Sequence, residues 1–98
     1  MKTVEQIIAE NNVLFFDTMD ERVKEITGGG IAAKYGGEYI MCIDGNAPPH
    51  KKEFIAAHEL AHILLGHLDG DMDERQRERA EREAELFAVV LMAMNAAG

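Results

Sequence analysis

His58-Glu59-Leu60-Ala61-His62 spells H-E-x-x-H inside a run of helix-favouring residues. In a helix of 3.6 residues per turn, His58 and His62 stand one turn apart on the same face, so both imidazoles can reach one metal ion. Glu59 is rotated about 100° from His58, too far round to be a third ligand but close enough to hydrogen-bond a water held on the metal, which is the place of a general base. Phe54, Ala57, Ala61 and Leu65 repeat at helical spacing beside the histidines. That pattern turns both ligands toward the core rather than toward solvent.

A hydrolytic zinc site typically takes three protein ligands and leaves a fourth position for water, so the two histidines need a partner. The segment from Asp73 to Glu85 is crowded with acids. Glu78 with Arg82 and Arg77 with Glu81 sit at i,i+4 spacing and read as pairs on a solvated face. With Ala80 as the reference direction, Ala84, Phe87, Leu91 and Met94 fall within about 40° of it and form the expected buried stripe. Glu83 falls on the shoulder of that stripe, between Phe87 and Val90, whereas Glu81 and Glu85 point near or beyond a right angle. A carboxylate aimed into an apolar face is costly unless paired or bound to metal, so Glu83 is the expected third ligand, with an ion pair to Arg79 as the competing account. A three-histidine variant of the motif requires Gly and His where this chain has Leu65 and Leu68. His67 is out of register for it and is expected to interact with the last carbonyls of its helix, while His50 is expected on the surface of the first turn.

Ninety-eight residues make one domain with a single modest core, here the whole of 1–98. A hydrophobic content of 47% with 29% charged residues is that of a globular chain, and the net charge of −8 argues against nucleic acid as a partner. Cys42 is the single cysteine, which excludes an intramolecular disulfide and favours a cytoplasmic protein; in the run Tyr39 to Ile43 it reads as a buried core thiol. The N-terminus lacks an uninterrupted apolar segment, and Leu86 to Met94 is shorter than the ~20 residues a bilayer requires, so neither export nor membrane association is expected.

The elements that must position the motif follow from local patterns. Residues 3–11 read as a short helix that Thr3 can cap, and 13–17 as a strand. Residues 18–26 are charged and ambiguous, with room for one helical turn, before Gly28-Gly29-Gly30. That glycine cluster lacks the Lys-Ser/Thr ending of a phosphate cradle and reads as a connector. Residues 31–35 and 38–43 form a hairpin about Gly36-Gly37. A loop with two prolines leads to the motif helix over 49–65, stopped by Gly66. Asp71 with Glu74 has the form of a capping box opening a long helix over 72–95. The expected fold class is α+β: a small three-stranded antiparallel sheet packed on the active-site helix and a long C-terminal helix.

The motif His58 to His62, followed by Glu83-Ala84-Glu85-Leu86-Phe87-Ala88-Val89-Val90-Leu91-Met92, resembles the ImmA/IrrE metallopeptidase family, whose pattern is H-E-x-x-H and then E-A-N-x-F-A-x-x-L-L-x-P. The family is gluzincin-like, with two histidines and a glutamate on zinc, and the resemblance implies the same role for Glu83. Very small single-domain gluzincins are similar as well. Glu85 stands where the family has Asn, and Ala93 stands near its Pro. Family members often carry further domains, including DNA-binding ones, and none is expected after Gly98. The resemblance also implies action on a regulatory protein such as a repressor. In larger gluzincins an Asp one turn beyond the glutamate supports a zinc histidine; Phe87 occupies that position, so support is expected from elsewhere, backbone carbonyls among the options.

The expected activity is a zinc-dependent endopeptidase in which His58, His62 and Glu83 hold Zn²⁺ and Glu59 takes a proton from a metal-activated water. The peptide would lie along the edge of the hairpin, and Tyr35, Tyr39 and His67 are unranked candidates to stabilise the oxyanion. Two other classes stand beside it: a non-catalytic zinc-stabilised binding or regulatory module, and a metal-free interaction protein exposing its acidic helix.

Overall fold

The structure is a computed structural model that describes residues 2–97. Helix α1 (Val4–Glu10) opens with a reciprocal cap: the Gln6 N–H donates to the Thr3 hydroxyl, and the Thr3 N–H donates to Gln6 Oε1 at 2.8 Å. Its apolar stripe buries Val4 and Ile8. Strand β1 (Leu14–Thr18) follows, and then α2 (Glu21–Thr27), which is two turns long rather than one. Asp20 caps α2 by accepting from the Arg22 N–H, and Gly28 closes it at φ 78°, a left-handed position that suits a residue without Cβ.

Strands β2 (Gly30–Tyr35) and β3 (Glu38–Asp44) form the expected hairpin, with Gly36 and Gly37 both at positive φ and Tyr35 paired to Glu38. The sheet is not antiparallel throughout. Its order is β1-β3-β2, and β1 runs parallel to β3 from Leu14 opposite Ile40 to Thr18 opposite Asp44. Parallel neighbours require a crossover, and α2 with β2 supplies it: the chain passes to the far edge before β3 returns between the two earlier strands.

The two faces of the sheet are buried to different extents. Met41 and Ile43 point toward α3 (Pro49–Leu64) and are 0% and 3% exposed, whereas Leu14, Phe16 and Ile31 lie exposed on the other face. Side chains alternate along a strand, so Cys42, between Met41 and Ile43, belongs to that outer face. It is half-buried rather than a core thiol, because that face is only partly covered.

Helix α4 (Glu74–Ala97) packs along α3 and completes the core around Leu60, Ile63 and Ala88. Its capping box lies two residues later than Asp71 and Glu74: the Asp73 N–H donates to Gln76 Oε1 and the Gln76 N–H to Asp73 Oδ1, at 2.9 and 2.8 Å. The innermost positions of the pair are alanines: Ala57 and Ala61 on α3, Ala80, Ala84 and Ala88 on α4. Small residues at a helix contact let the axes approach, so side chains flanking the seam can meet across it. Among the described residues no helix is long and apolar enough to cross a membrane.

Candidate metal centre

Helix α3 projects His58 and His62 from one face, as their spacing requires, into the angle between α3 and α4. There Glu81 spans both rings. Its Oε2 lies 3.1 Å from His58 Nε2 and its Oε1 3.1 Å from His62 Nε2, and one ligand atom from each of the three residues falls within a 4.8 Å set. Donors about 2.0–2.1 Å from a tetrahedral zinc ion stand about 3.3 Å from one another, so the spacing suits such an ion. The chemistry of the donors points the same way. A carboxylate facing two imidazole nitrogens places acceptors against acceptors unless a proton or a cation lies between them. Burial pushes the His62 pKa down, with the Glu81 charge opposing, which favours a ring whose nitrogen lone pair is free for metal. His58, His62 and Glu81 can therefore hold a metal ion.

Glu83 is not in this cluster. Its Oε1 lies 3.2 Å from His67 Nε2 rather than against the His58–His62 pair. The cause is the rotation of α4 about its axis. The residues closest to full burial are Ala80, Ala84 and Ala88, at 2%, 0% and 0% exposed, while Met94 is 47% exposed and does not belong to the stripe. Centred on Ala84, the buried direction leaves Glu81 about 60° away and Glu83 about 100° away. Glu81 thus flanks the seam toward the histidines and is not held in the surface pair with Arg77. Ala80, Ala84 and Ala88, repeating at one-turn spacing, are the sequence signal for this rotation.

Glu59 is half-buried beside the cluster. Burial raises its pKa, while nearby His58 and the backbone N–H of Ala32 act to lower it. It lines a cleft of about 510 Å³ together with His58, His62 and Glu81, and Gly30, Ile31 and Ala32 of β2 form the opposite wall. Gly30 permits this approach: a Cβ there would lie 2.7 Å from Ile55 Cγ2 and 3.4 Å from Glu59 Cγ. Arg77, one turn before Glu81, also lines the cleft.

The remaining candidates separate. Tyr35 sits 79% exposed at the hairpin tip, and Tyr39 donates its hydroxyl proton to Asp69, so neither lines the cleft. His67 does line it, through a side chain directed at His62 and Glu83 rather than at helix carbonyls. His50 is exposed in the first turn of α3.

Searches of curated proteins and of solved structures gave no match. The sequence profile of Peptidase_M78, the IrrE N-terminal-like domain, matches residues 10–96, a span that takes in the whole sheet, both helices of the cleft and every residue of the His58–His62–Glu81 cluster. The chain therefore belongs to the IrrE N-terminal-like metallopeptidase family, the one its two motifs resemble.

Proposed function

We propose that the protein is a zinc-dependent endopeptidase in which His58, His62 and Glu81 hold the metal and Glu59 is the general base. The observation that carries this reading is the convergence of two imidazoles and a carboxylate with the half-buried Glu59 carboxyl in one cleft. Two imidazoles and a carboxylate are a donor set suited to zinc with a position left for substrate chemistry. When bound, the ion supplies a more acidic water and polarises a carbonyl oxygen.

The protein's own groups do the rest. Glu59, ionised, accepts a proton from the attacking water, and the same carboxyl then donates it to the leaving amine nitrogen. Partial burial keeps Glu59 a stronger base than an exposed carboxylate. Strand β2 is an outer strand of the order β1-β3-β2 and borders the cleft, so its free edge can pair with an extended peptide and carry one amide past Glu59. Arg77 lines the same cleft, and its cationic side chain would counter charge developing on the substrate oxygen. The substrate class is an extended segment of a protein, and the resemblance in sequence favours a regulatory protein such as a repressor.

The test is Glu59→Gln. Cleavage of a peptide library should fall by about 10²–10⁴-fold, the range for removal of a general base, with zinc still bound at one ion per chain. A variant that cuts as well as the parent ends the mechanism. Zinc bound without cleavage by the parent selects the zinc-stabilised binding module.

A further inference from the structure

His62 presents its two ring nitrogens to different partners. Nε2 faces Glu81, while Nδ1 lies 2.9 Å from Nδ1 of His67, whose Nε2 lies 3.2 Å from Glu83 Oε1. A neutral imidazole carries one proton, so the tautomers along this chain are linked. For Nε2 of His62 to offer a lone pair to a metal, Nδ1 must carry the proton and donate it to His67. Nδ1 of His67 must then be bare, which puts the His67 proton on Nε2, where it is donated to the Glu83 carboxylate. Every hydrogen bond in the series is satisfied with one polarity, and that polarity leaves the lone pair of His62 directed at the site.

The end of α3 builds this arrangement. Gly66 takes φ 75°, the Gly66 N–H donates to the Ile63 carbonyl, and the His67 N–H donates to the His62 carbonyl at 2.9 Å. This is a Schellman cap, which folds the second residue past the helix back over the residue three from its end. The side-chain contact between those two positions is commonly apolar, and here it is an imidazole pair with ring centroids 5.1 Å apart. The His67 side chain is only 8% exposed, so its nitrogens depend on protein partners.

We infer that Glu83 and His67 form a relay that fixes the tautomer and orientation of His62, a supporting role distinct from metal ligation. It rests on the reading of His58, His62 and Glu81 as the donors. Both are positioning residues, acting on the metal through His62.

The experiment is a competition titration of zinc against a chromophoric chelator, using the full chain and the variants H67A, E83A, the double variant and E81Q. Loss of an outer-shell partner typically costs 10–100-fold in metal affinity, so H67A should weaken zinc by about that factor and E83A by about 10-fold. The double variant should bind no more weakly than H67A alone, because Glu83 acts only through His67. Additive losses, or unchanged affinity in H67A, overturn the relay. Nitrogen NMR of the zinc-loaded parent gives a reading that needs no variant to fold: His62 should be protonated at Nδ1 and His67 at Nε2, and the opposite His67 tautomer overturns the proposal. E81Q separates the two readings. If it binds zinc as the parent does, the donor assignment fails; if it loses zinc while H67A does not, only the relay fails.

Discussion

Two polar clusters in this molecule are built from similar parts and end in opposite states. At the surface, Lys34 and Tyr39 both donate to Asp69 Oδ1, tying the β2–β3 hairpin to the loop after α3. Hydrogen bonds from Tyr39 and Lys34 hold the Asp69 carboxyl below the usual range, and the same contacts raise Lys34 and Tyr39. Donors and acceptors balance, and the cluster is complete as it stands. Between α3 and α4, His58, His62 and Glu81 turn ring nitrogens and carboxylate oxygens toward one another, with one proton per neutral ring to share among them and the histidines largely removed from water. That cluster is completed only by protons or a cation. Proximity of charged side chains does not distinguish a tie from a site; the balance of donors to acceptors does.

Metal addition tests the contrast most strongly. A ligand at 100 times its Kd stabilises by about 2.7 kcal/mol, and a domain of this size shifts by about 4–8 °C per kcal/mol, so zinc should raise the thermal midpoint of the chelated protein by on the order of 10–20 °C. Glu81→Gln should lose most of that shift and Asp69→Asn should keep it; equal responses would erase the distinction. A smaller effect concerns Glu59 in the chelated protein. Its pKa is raised by burial, so the folded state is penalised above that raised value, where the carboxylate is charged, and carries no penalty below the ordinary carboxyl range, where both states are protonated. Glu59→Gln should therefore raise the midpoint by a few degrees at neutral pH and leave it unchanged in acid, as measured by thermal scans across pH. The smallest effect belongs to the surface tie. Asp69→Asn should make one of the two tyrosines ionise at lower pH in a spectrophotometric titration, with little change in midpoint at neutral pH. Because the Asp69 pKa is depressed on folding, even that change should vanish as the pH falls through its folded value.

Local patterns were legible where neighbours in sequence decide the outcome. The Thr3 cap, the Gly36-Gly37 turn and the Gly66 stop all stand as read, because each depends on the backbone of a few adjacent residues. Strand order was not legible. The same apolar runs fit β1 on either side of the hairpin, and only packing of the crossover against the sheet selects β1-β3-β2. The place of Cys42 failed for a related reason: alternation separates two faces but does not say how fully each is covered.

The pairing of His58 with His62, and the place of Glu59 beside them, follow from sequence alone, because one helix with a period of 3.6 residues determines their relative directions. Which acid meets them depends on the rotation of α4 about its own axis, and that rotation follows the seam of Ala80, Ala84 and Ala88 against α3. A sequence lists Glu81 and Glu83 two residues apart with equal standing. Packing separates them, directing Glu81 across the seam to the two histidines and Glu83 to His67, because a helix can bury only one direction at a time.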